Sequence, residues 1–162
     1  MRTLLKQLHV ESVLDVGGIG NYRHSVKRYT CINVPTEPRA ARAFCNIYEG
    51  SLLPFPDNHY ELTLAESTLH HAGPNASKLM WEMARVAKRY VIVGEDILEP
   101  SMASRDVVEA FEEHDYSAQY RTLEQWSDLG VRSGLRMERV LVLHRVPLHL
   151  RPLANCNLGY AP

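Results

Sequence analysis

The chain has few cysteines, no long apolar run and no marked excess of charge of either sign. Each lack removes something. Cys31, Cys45 and Cys156 are odd in number and show no CxxC spacing. A reduced, cytoplasmic setting fits them better than a disulfide framework. No apolar run approaches the length needed to span a bilayer, and no signal peptide precedes Val13. The formal net charge of −1 offers no basic surplus for nucleic acid phosphates. Internal repeats and low-complexity tracts are absent. The 162 residues suffice for one α/β domain, 1–162, and are too few for two independent cores. A soluble globular domain is expected.

What is present centres on Val13 to Asn21, VLDVGGIGN. Val13 to Val16 reads as a short buried strand, with Asp15 near its carboxyl end. Gly17, Gly18 and Gly20 follow. Glycine is needed where backbone turns with positive φ, or where a ligand comes closer than a Cβ allows. A buried strand entering a glycine turn is the nucleotide-binding geometry of open α/β sheets. A turn that only packs a strand edge is the plainer alternative.

Leu4, Leu5 and Leu8 share one face of a short helix over residues 1–9, with Thr3 as candidate cap. Tyr22 to Arg28 holds at most two helical turns. Tyr29 to Val34 reads as a second strand, Glu37 to Ala43 as a brief helix and Phe44 to Tyr48 as a third strand. Gly50 to Asn58 is a turn-rich loop, and Tyr60 to Ala65 alternates as a fourth strand. Leu79, Met83, Val86 and Ala87 recur at helical spacing. Tyr90 to Gly94 reads as a strand buried on both faces, with Glu95 and Asp96 at its end. A helical stretch falls around Val107 to Phe111, before the acidic run Glu112 to Asp115. Thr122 and Gln125 form a capping box for a helix stopped by Gly134. Residues 135–144 make a sixth strand, with Val146 to Arg151 pairing back antiparallel. The alternation predicts a mainly parallel sheet with helices on both faces.

Two further stretches join the glycine turn: Glu49 to Asn58, EGSLLPFPDN, and Tyr60 to Val86, with ESTLHH and EMARV inside it. The ordered set resembles the class I S-adenosylmethionine-dependent methyltransferases, in particular the broad group called methyltransferase domain 11. It covers roughly residues 12–95, and more weakly the stretch from Trp126 through Leu129 to Gly134. The resemblance implies a three-layer Rossmann-like fold with a mostly parallel seven-stranded sheet and an antiparallel last strand. It also implies methyl transfer from S-adenosylmethionine to a small-molecule acceptor. Asp15, Gly17, Gly18 and Gly20 would hold the methionine end of the cofactor. Glu49 would accept from the adenine amino group, with Gly50 and Ser51 bordering the ring. Glu66 to His70 would line the methionine moiety or the acceptor pocket.

Two departures stand out. The family loop G-x-G-x-G is one residue short here, and Asn33 stands where an acid usually holds the ribose hydroxyls. Glu37 is a candidate substitute. The shortened GNYR stretch is similar to a subgroup frequent among glycan and glycolipid methyltransferases.

His70 and His71 are adjacent and read first as structural histidines. His70 also suits a general base, since an unperturbed pKa of about 6.5 lies near neutrality. Tyr22 reads either as a cover for the sheet edge or as a face against the sulfonium. Glu95 and Asp96 read as solvated loop acids or as acceptor ligands. A catalytically inactive methyltransferase-like scaffold is the rival function. Nicotinamide binding fits worse, because GxGxxG from Gly18 would need glycine where Arg23 stands. The short N-terminus leaves room for a protein partner or a second copy to complete the acceptor pocket.

Overall fold

The computed structural model describes residues 1–34, 45–47, 52–98 and 119–143, and the backbone of 153–161. The helices expected at 37–43 and 107–111, the acidic run at 112–115 and the strand at 146–151 lie outside these residues. In chain order the elements are α1 (Arg2–Gln7), β1 (Ser12–Val16), β2 (Arg28–Asn33), β3 (Asn46–Ile47) and β4 (Tyr60–Glu66). A 3-10 segment (Leu69–Asn75) follows, then α2 (Ala76–Val86), β5 (Ala87–Leu98), α3 (Leu123–Arg132), β6 (Arg136–Leu143) and β7 (Leu153–Ala161).

The strands hydrogen-bond in the order β3-β2-β1-β4-β5-β7-β6. Parallel pairing is confined to five of them, which corrects the three-layer, mostly parallel seven-stranded sheet with an antiparallel last strand expected from the resemblance. The Rossmann-like part has five strands, β3 to β5, joined by parallel pairings alone. β7 runs antiparallel to both β5 and β6, so the last two strands form a hairpin on its edge. Among the described residues the antiparallel strand is Leu153–Ala161. One helical layer is also thin. Residues 21–27 form turns and bends instead of a helix, because so few residues separate the glycine loop from β2.

Alternation along the central strands sorts two apolar clusters. Leu14, Val16, Val91 and Val93 face α2 and α3, packing with Met80, Met83, Val86 and Trp126. Val13, Leu62, Leu64 and Ile92 face α1, packing with Leu5 and Val10. Strands buried on both faces need near-continuous apolar sequence, which VLDV and YVIVG supply. The expected capping box is present: Gln125 N donates to Thr122 Oγ1 at 3.3 Å, and Thr122 N to Gln125 Oε1 at 2.9 Å. Thr3 lies inside α1 rather than capping it.

The EMARV stretch acts as a clamp. Glu82, fully buried on α2, accepts from Leu53 N at 2.7 Å and from both ends of the Arg85 fork at 2.7 and 2.8 Å. Arg85 donates onward to Phe55 O, Leu53 O and Asp57 at 2.9, 3.0 and 2.7 Å. The LPFPD loop is thus tied to α2 through charge-assisted bonds. Glu82→Ala strands the Leu53 amide and leaves Arg85 short of its buried partner, a change costing about 3–5 kcal/mol. At roughly 2–4 °C per kcal/mol, the melting midpoint should drop by about 10 °C. A drop below 2 °C would show that the clamp contributes little. The Arg85 hydrogen bond holds the Glu82 carboxyl below its ordinary value. Its contribution is present above about pH 4.5 and lost as pH falls through the depressed folded value.

The cysteines require a correction. Cys31 on β2 and Cys45, just before β3, form a disulfide across a sequence separation of 14. An odd cysteine count without a motif carries no signal for that pairing. Parallel pairing of β2 with β3 brings the two Cα atoms to 4.8 Å, within disulfide reach. No helix among the described residues is long and apolar enough to cross a membrane.

Candidate cofactor and acceptor site

The carboxyl ends of β1, β2 and β4 meet at the glycine turn. Gly17 has φ +75° and its N–H donates to Ile32 O at 2.8 Å, so the chain leaves β1 in a left-handed turn against β2. Asn33, at the end of β2, donates its amide to Gly17 O and Gly18 O at 2.9 Å each and accepts from Val34 N at 2.8 Å. Its side chain therefore braces the loop. A Cβ on Gly18 would fall 2.1 Å from the Asp15 carboxyl, and one on Gly17 would fall 2.3 Å from Thr68. The space beside both glycines is filled by the protein's own side chains. Close internal packing is thus one physical reason for glycine at these positions.

Asp15 is buried, and the Tyr29 hydroxyl donates to its Oδ2. Burial pushes the Asp15 carboxyl up to about 7; the Tyr29 hydrogen bond opposes this, and the nearby Glu66 charge adds to it. Glu66, at the end of β4, accepts from the Tyr22 hydroxyl. Tyr22 also packs against the apolar cluster that includes Val13 and Leu5. Two tyrosines thus hold two carboxyls at neighbouring strand ends, a pair that a bound cation would stabilise.

A second constellation sits after β4 and within β5. Ser67 adopts φ +50°, turning the chain so that Thr68 N and Leu69 N reach Glu95 Oε1 at 2.9 and 2.7 Å. The other oxygen of Glu95 lies 2.5 Å from His70 Nδ1. Both side chains are buried, Glu95 completely. Glu95 is no solvated loop acid, because β5 continues past it to Leu98. The His70 ring stacks on Tyr120 at 5.4 Å and tilts 4.0 Å from His71. Gln119 N donates to His70 O at 2.7 Å. Tyr120 then lines an open cleft of about 320 Å³ with Gln119, Arg121, Gln125 and Asp128. Arg121 roofs the Trp126 ring at 4.8 Å and donates to Gly73 O at 3.2 Å.

The structure therefore gathers Asp15, Gly17, Gly18, Gly20, Asn33 and Glu66 at one sheet end. His70 falls on the 3-10 segment that follows β4. Glu49, Gly50 and Ser51 lie outside the described residues. Sequence reasoning missed Tyr29, Tyr120, Arg121 and the His70–Glu95 contact. No spacing links residues 25 positions apart; the parallel neighbours β4 and β5 do.

No family model matches the chain, and no curated protein matches its sequence. Solved structures do match in shape. A candidate methyltransferase of Bacillus halodurans C-125 superposes with TM-score 0.78 at 16% identity, over 99% of this chain and 97% of that one. A SAM-dependent methyltransferase of Methanosarcina mazei gives 0.71 at 14% identity, over 98% and 96%. The [4+2]-cyclase SpnF gives 0.75 at 14% identity, over 99% and 78%. The chain has a class I SAM-dependent methyltransferase-like fold. At such identity the likeness is one of fold, and SpnF carries a different name for its chemistry.

Proposed function

We propose that the chain transfers a methyl group from S-adenosylmethionine to a protonated nucleophile on a small acceptor. The buried His70–Glu95 pair carries this reading, with the His70 ring stacked on Tyr120 of the open cleft. S-adenosylmethionine supplies a methyl group already activated by a sulfonium. The donor set fits its cationic methionine end: Asp15 and Glu66 present carboxyl groups at adjacent strand ends, and burial leaves the Asp15 anion under-stabilised. Gly17, Gly18 and Gly20 shape that end, with Asn33 acting through the loop it braces. Glu49, Gly50 and Ser51 would take the adenine end.

Glu95 accepts from His70 Nδ1–H, which places the basic lone pair on Nε2. In the proposed role that nitrogen would take the acceptor's proton, while S-adenosylmethionine, when bound, would supply the methyl group. Glu95 stabilises the imidazolium that forms. The acceptor class open to such a base includes phenols, alcohols and sugar hydroxyls, in glycans or glycolipids among others.

A catalytically inactive scaffold is the second reading. The filling of the glycine surfaces by Thr68 and Asp15 favours it. Thermal melting with millimolar S-adenosylmethionine separates the two, because a ligand specific to the folded state raises the midpoint. A dissociation constant near 10 µM should give about 2.7 kcal/mol at 1 mM, a rise of several degrees. No rise at that concentration would put the scaffold first.

A further inference from the structure

We propose that the Cys31–Cys45 disulfide is a redox-operated clamp on the cofactor end of the sheet. Closed, it fixes β3 and the glycine loop; opened by a dithiol, it releases both. The clamp itself stands on geometry, and only its effect on ligand affinity rests on the function proposed above.

Three observations place it there. Cys31 is in register with Asp15 across the β1–β2 pairing, and Cys45 stands one residue before β3. Among the described residues β3 pairs Asn46 with Ile32 and Ile47 with Asn33. A covalent tie beside this pairing sets its register. Next, Cys45 Sγ lies 3.4 Å from Gly18 O, the carbonyl that Asn33 Nδ2 also holds at 2.9 Å. Lastly, Tyr29 packs against both cysteines while its hydroxyl donates to Asp15. The disulfide thus touches the glycine loop at Gly18 and reaches its acid, Asp15, through Tyr29.

Opening has a defined chemistry. One thiolate of the reductant attacks the Cys45 sulfur, the S–S bond breaks, and Cys31 leaves as a thiolate. The second thiolate of the reductant attacks its own bound sulfur and expels Cys45. Two electrons pass to the protein, the reductant closes to a cyclic disulfide, and both cysteines take up protons. Non-bonded sulfurs need more room than bonded ones, so β3 shifts from β2. The Cys45 thiol also gains a hydrogen that can be donated to Gly18 O, in competition with Asn33. With 4% and 8% exposure, the cysteines exchange through local opening, which slows the switch without preventing it. In a reducing compartment a bond of this kind is characteristically transient and redox-sensing.

Wild-type protein equilibrated with oxidised glutathione, and separately with dithiothreitol, tests the clamp. Alkylation and mass spectrometry report the Cys31–Cys45 bond. Hydrogen exchange reports the amides of Gly17, Gly18, Asn46 and Ile47, and titration with S-adenosylmethionine reports affinity. The oxidised form should show at least ten-fold slower exchange at these amides and about ten-fold tighter binding. A folded Cys31→Ala, Cys45→Ala double variant should match the reduced wild type and ignore dithiothreitol. Equal exchange in the two wild-type states, or failure of oxidised glutathione to form the bond, would overturn the clamp. Redox-dependent exchange in a protein that binds no S-adenosylmethionine in either state would support the clamp and count against the methyltransferase reading alone.

Discussion

His70→Gln should lower the rate of methyl transfer by about 10²–10⁴-fold, the range for loss of a positioned general base. Affinity for S-adenosylmethionine should stay within a few-fold of wild type, because the proposed role of His70 is toward the acceptor. The measurement is transfer of labelled methyl from S-adenosylmethionine to a panel of phenols, alcohols and amines. Each should be followed across pH 5 to 9. The profiles of wild type and variant should differ, because the variant carries no proton-accepting ring at this position. The glutamine side-chain amide can still donate toward Glu95, so the buried carboxylate keeps a hydrogen-bond partner. A variant with wild-type rates and an unchanged pH profile would reduce His70 to a structural histidine.

Asp15→Asn should strengthen the free protein at pH 8 while weakening its hold on S-adenosylmethionine. The carboxyl titrates at about 7 in the fold against an ordinary 3.8, chiefly because it is buried. A folded value above the unfolded one means that the fold prefers the protonated acid. Stability is therefore greatest below about pH 4 and falls as pH rises toward 7. By pH 8 the buried anion costs about 4 kcal/mol, at about 1.4 kcal/mol per pH unit. Asparagine removes that cost with little change of shape. The midpoint should rise at pH 8 and stay nearly level at pH 4. Loss of a charge-assisted bond to the cofactor ammonium, about 1.5–3 kcal/mol, should weaken binding at least ten-fold. Destabilisation at pH 8 together with undiminished binding would remove Asp15 from both roles. The same logic predicts proton release when wild type binds the cofactor near pH 6.5, readable by calorimetry in buffers of different ionisation enthalpy.

SpnF shows that a named cyclase shares this fold, so sheet topology alone decides no chemistry. What favours methyl transfer here is local: two carboxyls at strand ends and a histidine held by a buried acid.

Much of this framework follows from nearest-neighbour pattern. Runs such as VLDV and YVIVG read as strands because both faces of a parallel strand are apolar. The α2 stripe and the Thr122–Gln125 box read as helix because their periods and hydrogen bonds are local. Asp15 and the glycine turn were legible for the same reason. Three features were not. The Cys31–Cys45 bond depends on β2 lying beside β3. The His70–Glu95 contact depends on β4 lying beside β5, and the missing helix after Gly20 depends on how little chain separates the loop from β2. The role of Asn33 also changed with context. From sequence it stands in for a ribose-binding acid, whereas in the fold its amide reaches two loop carbonyls and becomes their brace. Sequence alone marked the central strands β1, β2, β4 and β5 and the acids and glycines near their ends, because those preferences act within a few residues. Tertiary structure decided which side chains touch, because strand order brings together positions that no period relates.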